Sequence, residues 1–290
     1  MSIKIGFVNF IREGVAISYR FLCKIGVCRP KCVCMIDGGI CSQLIQYYTG
    51  KQIGGEYDVE YDMHFWEKED GGRDVLGNEN RPFELLSLYP DIEFHRCEKR
   101  MANFYRRYLQ TNNAVDCRPP VYINNYRFDV GLSDFRKYFT LDNAYYSKEM
   151  ENWLVQIKRG TSCGIHIRRG DLANNDNPHY GLFSMNYINN AIRYVIEKNE
   201  IIRFFIFSDD VEWVRLHINE MCLSNYIIVE GNSGREDLLL LANCNYIVAS
   251  QGTAGRIAAL INGKSLLIMK EGDPHNARYL EAHPNCLLIK

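Results

Sequence analysis

The sequence has no long apolar segment, no strong charge imbalance and no signal-peptide pattern, and each absence excludes a class of protein. No uninterrupted apolar run approaches the ~20 residues that a membrane-spanning helix needs. The N-terminus lacks the compact apolar core and small-residue cleavage site of a signal peptide. A net charge of −1 over 290 residues provides no overall basic field of the kind that nucleic-acid binders carry. We therefore expect a cytoplasmic protein that does not bind nucleic acid.

Paired metal-binding cysteine motifs and dinucleotide-binding glycine motifs are also missing. The eleven cysteines are odd in number and form no C-x-x-C unit with a second pair or two histidines downstream. Cys32 and Cys34 lie in an apolar run, where a strand places both thiols on one face. This pattern predicts free structural thiols and no metal site. A Rossmann dehydrogenase is disfavoured as well, because no G-x-G-x-x-G opens a helix.

Residues 1–30 form a locally basic extension. Its apolar positions recur near helical spacing and predict an amphipathic helix: Ile11, Val15, Phe21, Leu22 and Ile25. The extension contains one acid, Glu13, and five cations: Lys4, Arg12, Arg20, Lys24 and Arg29. Two interpretations fit this pattern. The helix makes peripheral contact with the anionic inner face of a membrane, or it packs on the protein with its basic face in solvent.

The composition, 47% hydrophobic and 24% charged, is that of an ordinary globular protein, and the length suffices for two domains. We assign residues 31–160 to an N-terminal α/β domain and residues 161–290 to a C-terminal one, because Lys158–Ser162 breaks the apolar pattern. In the first domain a strand at 31–36, a glycine turn at 37–43 and a helix at 44–53 follow in series. Such a turn lets a ligand approach the backbone, so Gly38, Gly39 and Gln43 are candidate binding residues.

Strands and helices alternate regularly in the C-terminal domain. We predict strands at 163–167, 203–207, 226–229, 246–249 and 265–269, with helices at 185–197, 211–219, 235–242 and 256–261. This alternation indicates a parallel sheet with crossover helices, a Rossmann-like domain.

Three of these strands end in polar clusters, which we expect at one edge of the sheet. The clusters are His166-Ile-Arg168-Arg169-Gly170-Asp171, then Ser208-Asp209-Asp210, then Ser250-Gln251-Gly252-Thr253-Ala254-Gly255. Arginine forks fit phosphate oxygens in pairs, and small residues that open a helix offer backbone amides to a phosphate. Asp209 or Asp210 then meets a ribose or base. The clusters predict a nucleotide site, the alternative being a purely structural arrangement.

The same residues carry a resemblance to a known family. HIRRGD, FIFSDDVEW and DLLLLANCNYIVASQGTAG are similar to segments of the glycosyltransferase family 11 α-1,2-fucosyltransferases and, more distantly, of α-1,6- and protein O-fucosyltransferases. MIDGGICSQLIQYYTGKQI and VYINNYRFDVGLSDFRKYF resemble earlier segments of the family. The resemblance implies a GT-B-like fold of two Rossmann-like domains with the nucleotide site in the C-terminal one. It also implies polysaccharide biosynthesis, GDP-fucose as donor, a glycan acceptor, inversion at the anomeric carbon and no metal.

With no metal, fixed donors must neutralise the leaving diphosphate, which makes Arg168 the first candidate catalytic residue. Arg169 points to the other face of the strand and holds the loop or pairs with Asp171, and His166 contacts the donor or is a core histidine. For a base on the acceptor hydroxyl the loop 171–180 offers Asp171, Asp176 and His179, and the resemblance to α-1,6 enzymes favours Asp176. Two alternatives stay open: a transferase with another nucleotide-sugar donor, and a catalytically silent nucleotide- or glycan-binding protein.

Overall fold

The computed structural model describes residues 2–67, 73, 81–111, 118–124, 130–170 and 184–290 and divides into two compact units. Unit 1 contains residues 1–86 and 91–130, and unit 2 contains residues 87–90 and 131–290. Each unit has a sheet of parallel strands accompanied by helices. The predicted α/β class with two parallel-sheet domains is confirmed.

Unit 1 is built on a four-stranded sheet in the order β2-β1-β4-β3. Its strands are β1 (Lys31–Met35), β2 (Asp58–Asp62), β3 (Gln110–Thr111) and β4 (Val121–Ile123). The helices that precede or connect them are α1 (Ser2–Lys24), α2 (Ile40–Gly54), α3 (Leu85–Leu88) and α4 (Lys99–Tyr108). Strand β1 and helix α2 agree with the predicted strand and helix, although α2 begins at Ile40, within the predicted turn at 37–43.

Helix α2 lies very close to β1 and β2 because it presents glycine to them. A Cβ atom on Gly54 would lie 2.3 Å from Val59 Cγ2, and one on Gly50 would lie 3.2 Å from Cys34 Cβ. The Cβ of Cys32 is likewise near Gly54, so both thiols face α2. Cys32 and Cys34 are buried thiols, as predicted, and burial raises the pKa of Cys34 well above its usual value.

Unit 2 is built on a six-stranded sheet in the order β10-β9-β8-β5-β6-β7. The strands are β5 (Ser162–Ile167), β6 (Arg203–Ser208), β7 (Tyr226–Ile228), β8 (Tyr246–Ala249), β9 (Leu266–Lys270) and β10 (Cys286–Ile289). Around them lie α5 (Glu151–Lys158), α6 (Met185–Lys198), α7 (Val211–His217), α8 (Gly234–Ala242), α9 (Ala254–Asn262) and α10 (Ala277–Ala282). Short 3-10 turns occur at His64–Glu67, Phe135–Lys137, Lys148–Met150 and Ile218–Glu220.

The strand order of unit 2 reverses beside β5. From β5 the chain adds β6 and β7 on one side, and then β8, β9 and β10 on the other. In open parallel sheets, ligands bind outside the carboxyl ends of the strands at such a switch point. The core beneath that edge is apolar, with fully buried Ile165, Phe204, Ile206 and Val248 on the three central strands.

The division between the units differs from the predicted boundary at 159–162, because residues 131–158 pack on unit 2. Phe135 and Phe139 are buried with ring centroids 5.0 Å apart. Ser147 Oγ donates a 2.7 Å hydrogen bond to Glu236 of α8. Helix α5, which precedes β5, begins at Glu151. The apolar pattern breaks at 159–162 because these residues connect the end of α5 to the start of β5.

The predicted helix of the N-terminal extension is present as α1, which packs on α4. Ala16 is buried, and the Tyr19 ring contacts Phe104 and Tyr105 edge-on at centroid distances of 5.0 and 5.8 Å. Within the part of the chain that the structure describes, no helix combines the length and the apolar character needed to span a bilayer.

Gly164 is required where α8 crosses β5. An added Cβ atom would lie 2.4 Å from Leu241 Cδ1 and 3.0 Å from Cys244 Sγ, both in the buried core. We expect Gly164→Ala to lower the free energy of unfolding by about 1–3 kcal/mol, the usual cost of overpacking a core. Urea denaturation measures this change. Gly160→Ala is the matched control, because its Cβ meets nothing within 4 Å; equal stability of the two variants would contradict the packing argument.

Candidate functional site

The structure brings the three predicted polar clusters together. Strands β8, β5 and β6 are neighbours and parallel, with Ile167 paired to Ser208 and His166 paired to Ala249. The residues that follow these strands therefore lie at one edge of the sheet, beside the switch point. Arg168, Asp209 and Ser250 are in direct contact there.

Asp209 fastens the loop after β6 to the loop after β5. Its Oδ1 accepts hydrogen bonds from the backbone amides of Arg169 at 2.8 Å and Gly170 at 3.1 Å. Its Oδ2 forms an ion pair with Nη1 of Arg168. A Cβ atom on residue 170 would lie 2.8 Å from Oδ2, so glycine permits this close approach. The carboxylate thus fixes both the backbone of the loop and the guanidinium of Arg168.

Arg169 contacts Trp213 and Asp210, whereas Asp171, its other predicted partner, lies outside the described residues. Its guanidinium lies over the Trp213 ring, 4.5 Å from the centroid, and its Nε donates to Asp210 Oδ2 at 3.2 Å. Asp210 Oδ1 caps α7 by accepting from the Trp213 amide at 3.1 Å. Ser208 Oγ accepts from the Asp210 amide at 3.0 Å. Arg169, the capping carboxylate of Asp210 and the Ser208 hydroxyl therefore form one connected cluster.

The ribose or base contact predicted for Asp209 or Asp210 stays a prediction. Both carboxylates are already engaged by arginines, and each also accepts from backbone amides. A ribose hydroxyl would have to compete with a charge-assisted hydrogen bond at either residue. Asp209 and Asp210 therefore position the arginines in this structure.

Ser250 and His166 tie β8 to β5. The Ser250 hydroxyl accepts from the Arg168 amide at 2.8 Å and lies 3.5 Å from His166 Nδ1, while the Ser250 amide donates to the His166 carbonyl at 3.1 Å. Desolvation by burial is the main cause that lowers the pKa of His166 from 6.5 to about 4; the Asp209 charge opposes this shift, and the Arg168 and Arg256 charges add to it. His166 is therefore neutral near pH 7, and the positive charge of this edge comes from arginine.

The predicted phosphate cradle is a glycine turn that leads into α9. Gly252 has φ of +96°, a conformation that L side chains rarely adopt, and it lies against the side chain of Arg168. The first intrahelical hydrogen bond of α9 runs from the Ile257 amide to the Thr253 carbonyl. The amides from Ala254 to Arg256 precede that bond and are the orphan donors of a helix start. Beside them, Gln251 Oε1 is a buried acceptor with no hydrogen-bond partner among the described residues.

A buried arginine that the sequence did not single out holds this turn. Arg256 is 3% exposed; its Nη1 donates to the Gly252 carbonyl, and its Nη2 pairs with Asp273 and donates to Asn276 Oδ1 at 2.9 Å. Burial of an arginine in an apolar helix is uncommon without partners. The sequence pattern hides this role, because Asp273 and Asn276 follow a later strand.

In unit 1, the glycine turn after β1 is shaped by Gln43. This fully buried side chain donates to the carbonyls of Gly38 and Pro82, both at 2.9 Å, and accepts from the amides of Glu84 and Leu85. These bonds use the donors and acceptors of its side-chain amide and hold the turn in place, and the predicted ligand contact of Gln43 stays a prediction. Gly38 adopts φ of +70°, as a turn glycine does, and Gly39 lies under the Arg81 side chain.

The candidate bases Asp171, Asp176 and His179 lie outside the described residues, and their roles stay predictions. Among the residues that the structure does describe, no group of three or more His, Cys, Asp or Glu side chains is arranged to hold a metal ion. The metal-independent mechanism also stays a prediction.

One further titratable residue at this edge was missed by the sequence analysis. Asp237 lies in the first turn of α8, which begins at the carboxyl edge because it connects parallel β7 to β8. Burial and the neighbouring Glu236 raise the pKa of Asp237 to about 7, although Asn232 Nδ2 donates to it at 3.3 Å. The sequence does carry a signal for this helix start, the capping box of Ser233 and Glu236.

A sheet edge with a strand-order reversal, a guanidinium held by a carboxylate and a glycine-containing helix start is an arrangement with which open α/β sheets bind phosphate-bearing ligands. The sequence profile of Glycosyl transferase family 11 matches residues 121–282, which is more than half of the chain. The chain belongs to glycosyl transferase family 11, as the sequence motifs indicated.

Curated relatives agree with this family. The chain is 33% identical over 101 residues to an alpha-1,2-colitosyltransferase of Escherichia coli, covering 33% of this chain and 35% of that protein. It is 30% identical over 143 residues to the galactoside 2-alpha-L-fucosyltransferase SEC1 of Bos taurus, covering 45% of this chain and 38% of the relative. The chain thus spans a little over a third of the length of these relatives.

Among solved structures, the chain is similar to the NodZ alpha-1,6-fucosyltransferase soaked with GDP-fucose. The TM-score is 0.48 at 12% identity, with 85% of this chain and 97% of that chain covered.

The raised pKa of Asp237 predicts a pH-dependent stability. Between pH 4 and 7 the folded protein keeps a proton that the unfolded chain has already lost, so stability falls as pH rises through this range. Asp237→Asn removes that dependence. At pH 8 we expect the variant to be more stable than the wild type by about 1–2 kcal/mol, with little difference near pH 4. Urea denaturation across this range tests it.

The control is Glu197→Gln on the exposed side of α6. A stability difference between wild type and Asp237→Asn that does not change with pH would rule out a buried, protonated carboxyl.

Proposed function

We propose that this chain is an inverting fucosyltransferase that moves fucose from GDP-fucose to a hydroxyl of a glycan acceptor, forming an α-1,2 linkage. The observation that carries this proposal is the coincidence of the family 11 match with the Arg168 site. The matched residues 121–282 contain all three loops of the carboxyl edge. The two relatives, an alpha-1,2-colitosyltransferase and a galactoside 2-alpha-L-fucosyltransferase, support the linkage.

The proposed diphosphate site lies between Arg168 and the start of α9. Arg168 supplies a permanent positive charge that Asp209 holds in place, and the amides from Ala254 to Arg256 supply neutral donors. Gly252 brings this backbone against the Arg168 side chain without a Cβ atom in the way. The polar groups are fixed before the substrate arrives, which is the condition for effective electrostatic catalysis.

In the proposed step, the acceptor hydroxyl oxygen attacks C1 of the fucosyl group. The C1–O bond to the β-phosphate breaks, its electron pair stays on GDP, and the configuration at C1 inverts. The hydroxyl proton passes to a base, for which Asp176 and Asp171 are our candidates. Arg168 stabilises the negative charge that develops on the departing diphosphate, so no step in this scheme uses a metal ion.

One observation supports an alternative donor. The relative with 33% identity is a colitosyltransferase, so nucleotide-activated colitose is the alternative sugar donor for the same site. In this alternative the diphosphate contacts are unchanged, and only the contacts to the sugar differ.

Replacing Arg168 should reduce catalysis and leave the fold intact. We expect Arg168→Ala to reduce fucosyl transfer from GDP-fucose by about a hundredfold or more, because a fixed group that stabilises transition-state charge is lost. Initial rates of GDP release, with a panel of galactoside acceptors, measure this. The matched control is Arg215→Ala, which removes an exposed arginine paired with Glu212 and Glu230. Unchanged turnover in Arg168→Ala would remove this residue from the proposed mechanism.

The donor is tested by thermal-shift titration without magnesium, using GDP, GDP-fucose, GDP-colitose, GDP-mannose and UDP-sugars. We expect GDP and GDP-fucose to raise the midpoint of unfolding and Arg168→Ala to abolish the rise, because a ligand stabilises the state that binds it. Turnover with GDP-colitose alone would favour the alternative donor. Binding without turnover of any donor would identify a silent nucleotide-binding protein, and no response to guanine nucleotides would exclude the proposed donor class.

A further inference from the structure

Helix α1 packs on unit 1 through the side that carries Ala16 and Tyr19. Ala16 is buried, and Tyr19 packs edge-on against Phe104 and Tyr105 of α4. The Tyr19 and Tyr105 hydroxyls lie 3.3 Å apart, which adds a hydrogen bond to this contact. The orientation of α1 is therefore set by packing, and with it the direction in which its other faces point.

The opposite side of α1 carries large apolar side chains in the open. Phe10, Ile17 and Phe21 are spaced by seven and four residues, so they project in nearly the same direction from a helix of about 3.6 residues per turn. They are 74%, 66% and 59% exposed. Further exposed apolar residues flank them and continue past the helix end: Ile11, Leu22, Ile25 and Val27. We call this surface the α1 apolar face, and it extends for about 20 Å along the helix.

The charges around the α1 apolar face are mostly positive. Exposed cations occur at four positions in residues 9–30, namely Arg12, Arg20, Lys24 and Arg29, against one exposed acid, Glu13. Four cations and one acid give this segment a net charge of +3. Lys31 does not add to it, because its ammonium pairs with Glu60 of β2. Arg20 and Lys24 lie within the same two turns as Ile17 and Phe21, so charge and apolar surface are adjacent.

We propose that the α1 apolar face binds the surface of a membrane rich in anionic lipids, with the helix lying parallel to the bilayer plane. Phenylalanine and isoleucine side chains would enter the boundary between headgroups and acyl chains, and the cations would meet lipid phosphates. A second copy of this chain is a poorer partner, because a symmetric contact would bring the +3 segments together. Both sequence interpretations then hold, since one side of α1 packs on the protein and the other meets the membrane. This inference does not depend on the proposed activity.

Liposome flotation of the full chain tests the proposal. Vesicles of phosphatidylcholine alone are compared with vesicles of phosphatidylcholine mixed with phosphatidylglycerol. We expect binding to the anionic vesicles to exceed binding to the neutral ones by about tenfold or more, and to weaken as salt is raised. The triple variant Phe10→Gln, Ile17→Gln, Phe21→Gln should lose about tenfold in binding or more. Arg20→Glu with Lys24→Glu should abolish the preference for anionic lipid.

The matched control removes three apolar residues of similar exposure elsewhere: Val155→Gln, Ile201→Gln and Leu216→Gln, whose side chains are 68%, 81% and 78% exposed. It should bind as the wild type does. Circular dichroism checks that each variant is folded, which we expect because the contacts of α1 with α4 are untouched. Failure of the wild type to bind anionic vesicles, or full binding by the triple variant, would overturn the proposal. Light scattering that shows a dimer dissociated by the triple variant would overturn it too, since a second copy would then cover the face.

Discussion

The carboxylate of Asp209 is the interaction on which the site in unit 2 depends. It accepts from the amides of Arg169 and Gly170 and pairs with the guanidinium of Arg168, so one side chain after β6 fixes the loop after β5. Both partners of the ion pair are about one-quarter exposed or less. Their attraction is therefore stronger than between charges in open water, yet neither ion is desolvated completely. An arginine held in this way is ready for an anion without a further loss of side-chain freedom.

Polar side chains also hold two other glycine turns in place. After β8, the Ser250 hydroxyl and the buried Arg256 guanidinium hold the turn that leads into α9. After β1, the Gln43 amide uses its full hydrogen-bonding capacity to connect the turn to residues 82–85. Buried polar networks in which every member is satisfied are rigid, as around Gln43; at Arg256, Nε has no hydrogen-bond partner among the described residues. Each turn is thus fixed by a polar side chain from within its own unit.

Topology places one of these turns where open parallel sheets bind their ligands. The turn after β8 lies beside the strand-order reversal at β5. Close helix packing keeps the start of α9 next to the sheet edge. A Cβ atom on Gly255 would lie 2.8 Å from the Ala249 side chain, so glycine lets α9 start directly against the end of β8. The start of α9 and the Arg168 side chain consequently lie at the same edge of the sheet.

The sequence by itself determined the α/β class, the alternation of strands and helices in residues 162–270, the common edge of the three polar clusters, and the family. These features are local, because strand and helix periodicity and the order of residues in a motif are written along the chain. Tertiary structure alone decided the division at 130/131, the structural roles of Gln43 and Asp210, the raised pKa of Asp237 and the exposed side of α1. Each of these depends on residues distant in the sequence, as in the Gln43 contact with Glu84, 41 positions away. Burial and hydrogen-bond satisfaction exist only once those distant residues meet, so no pattern along the chain specifies them.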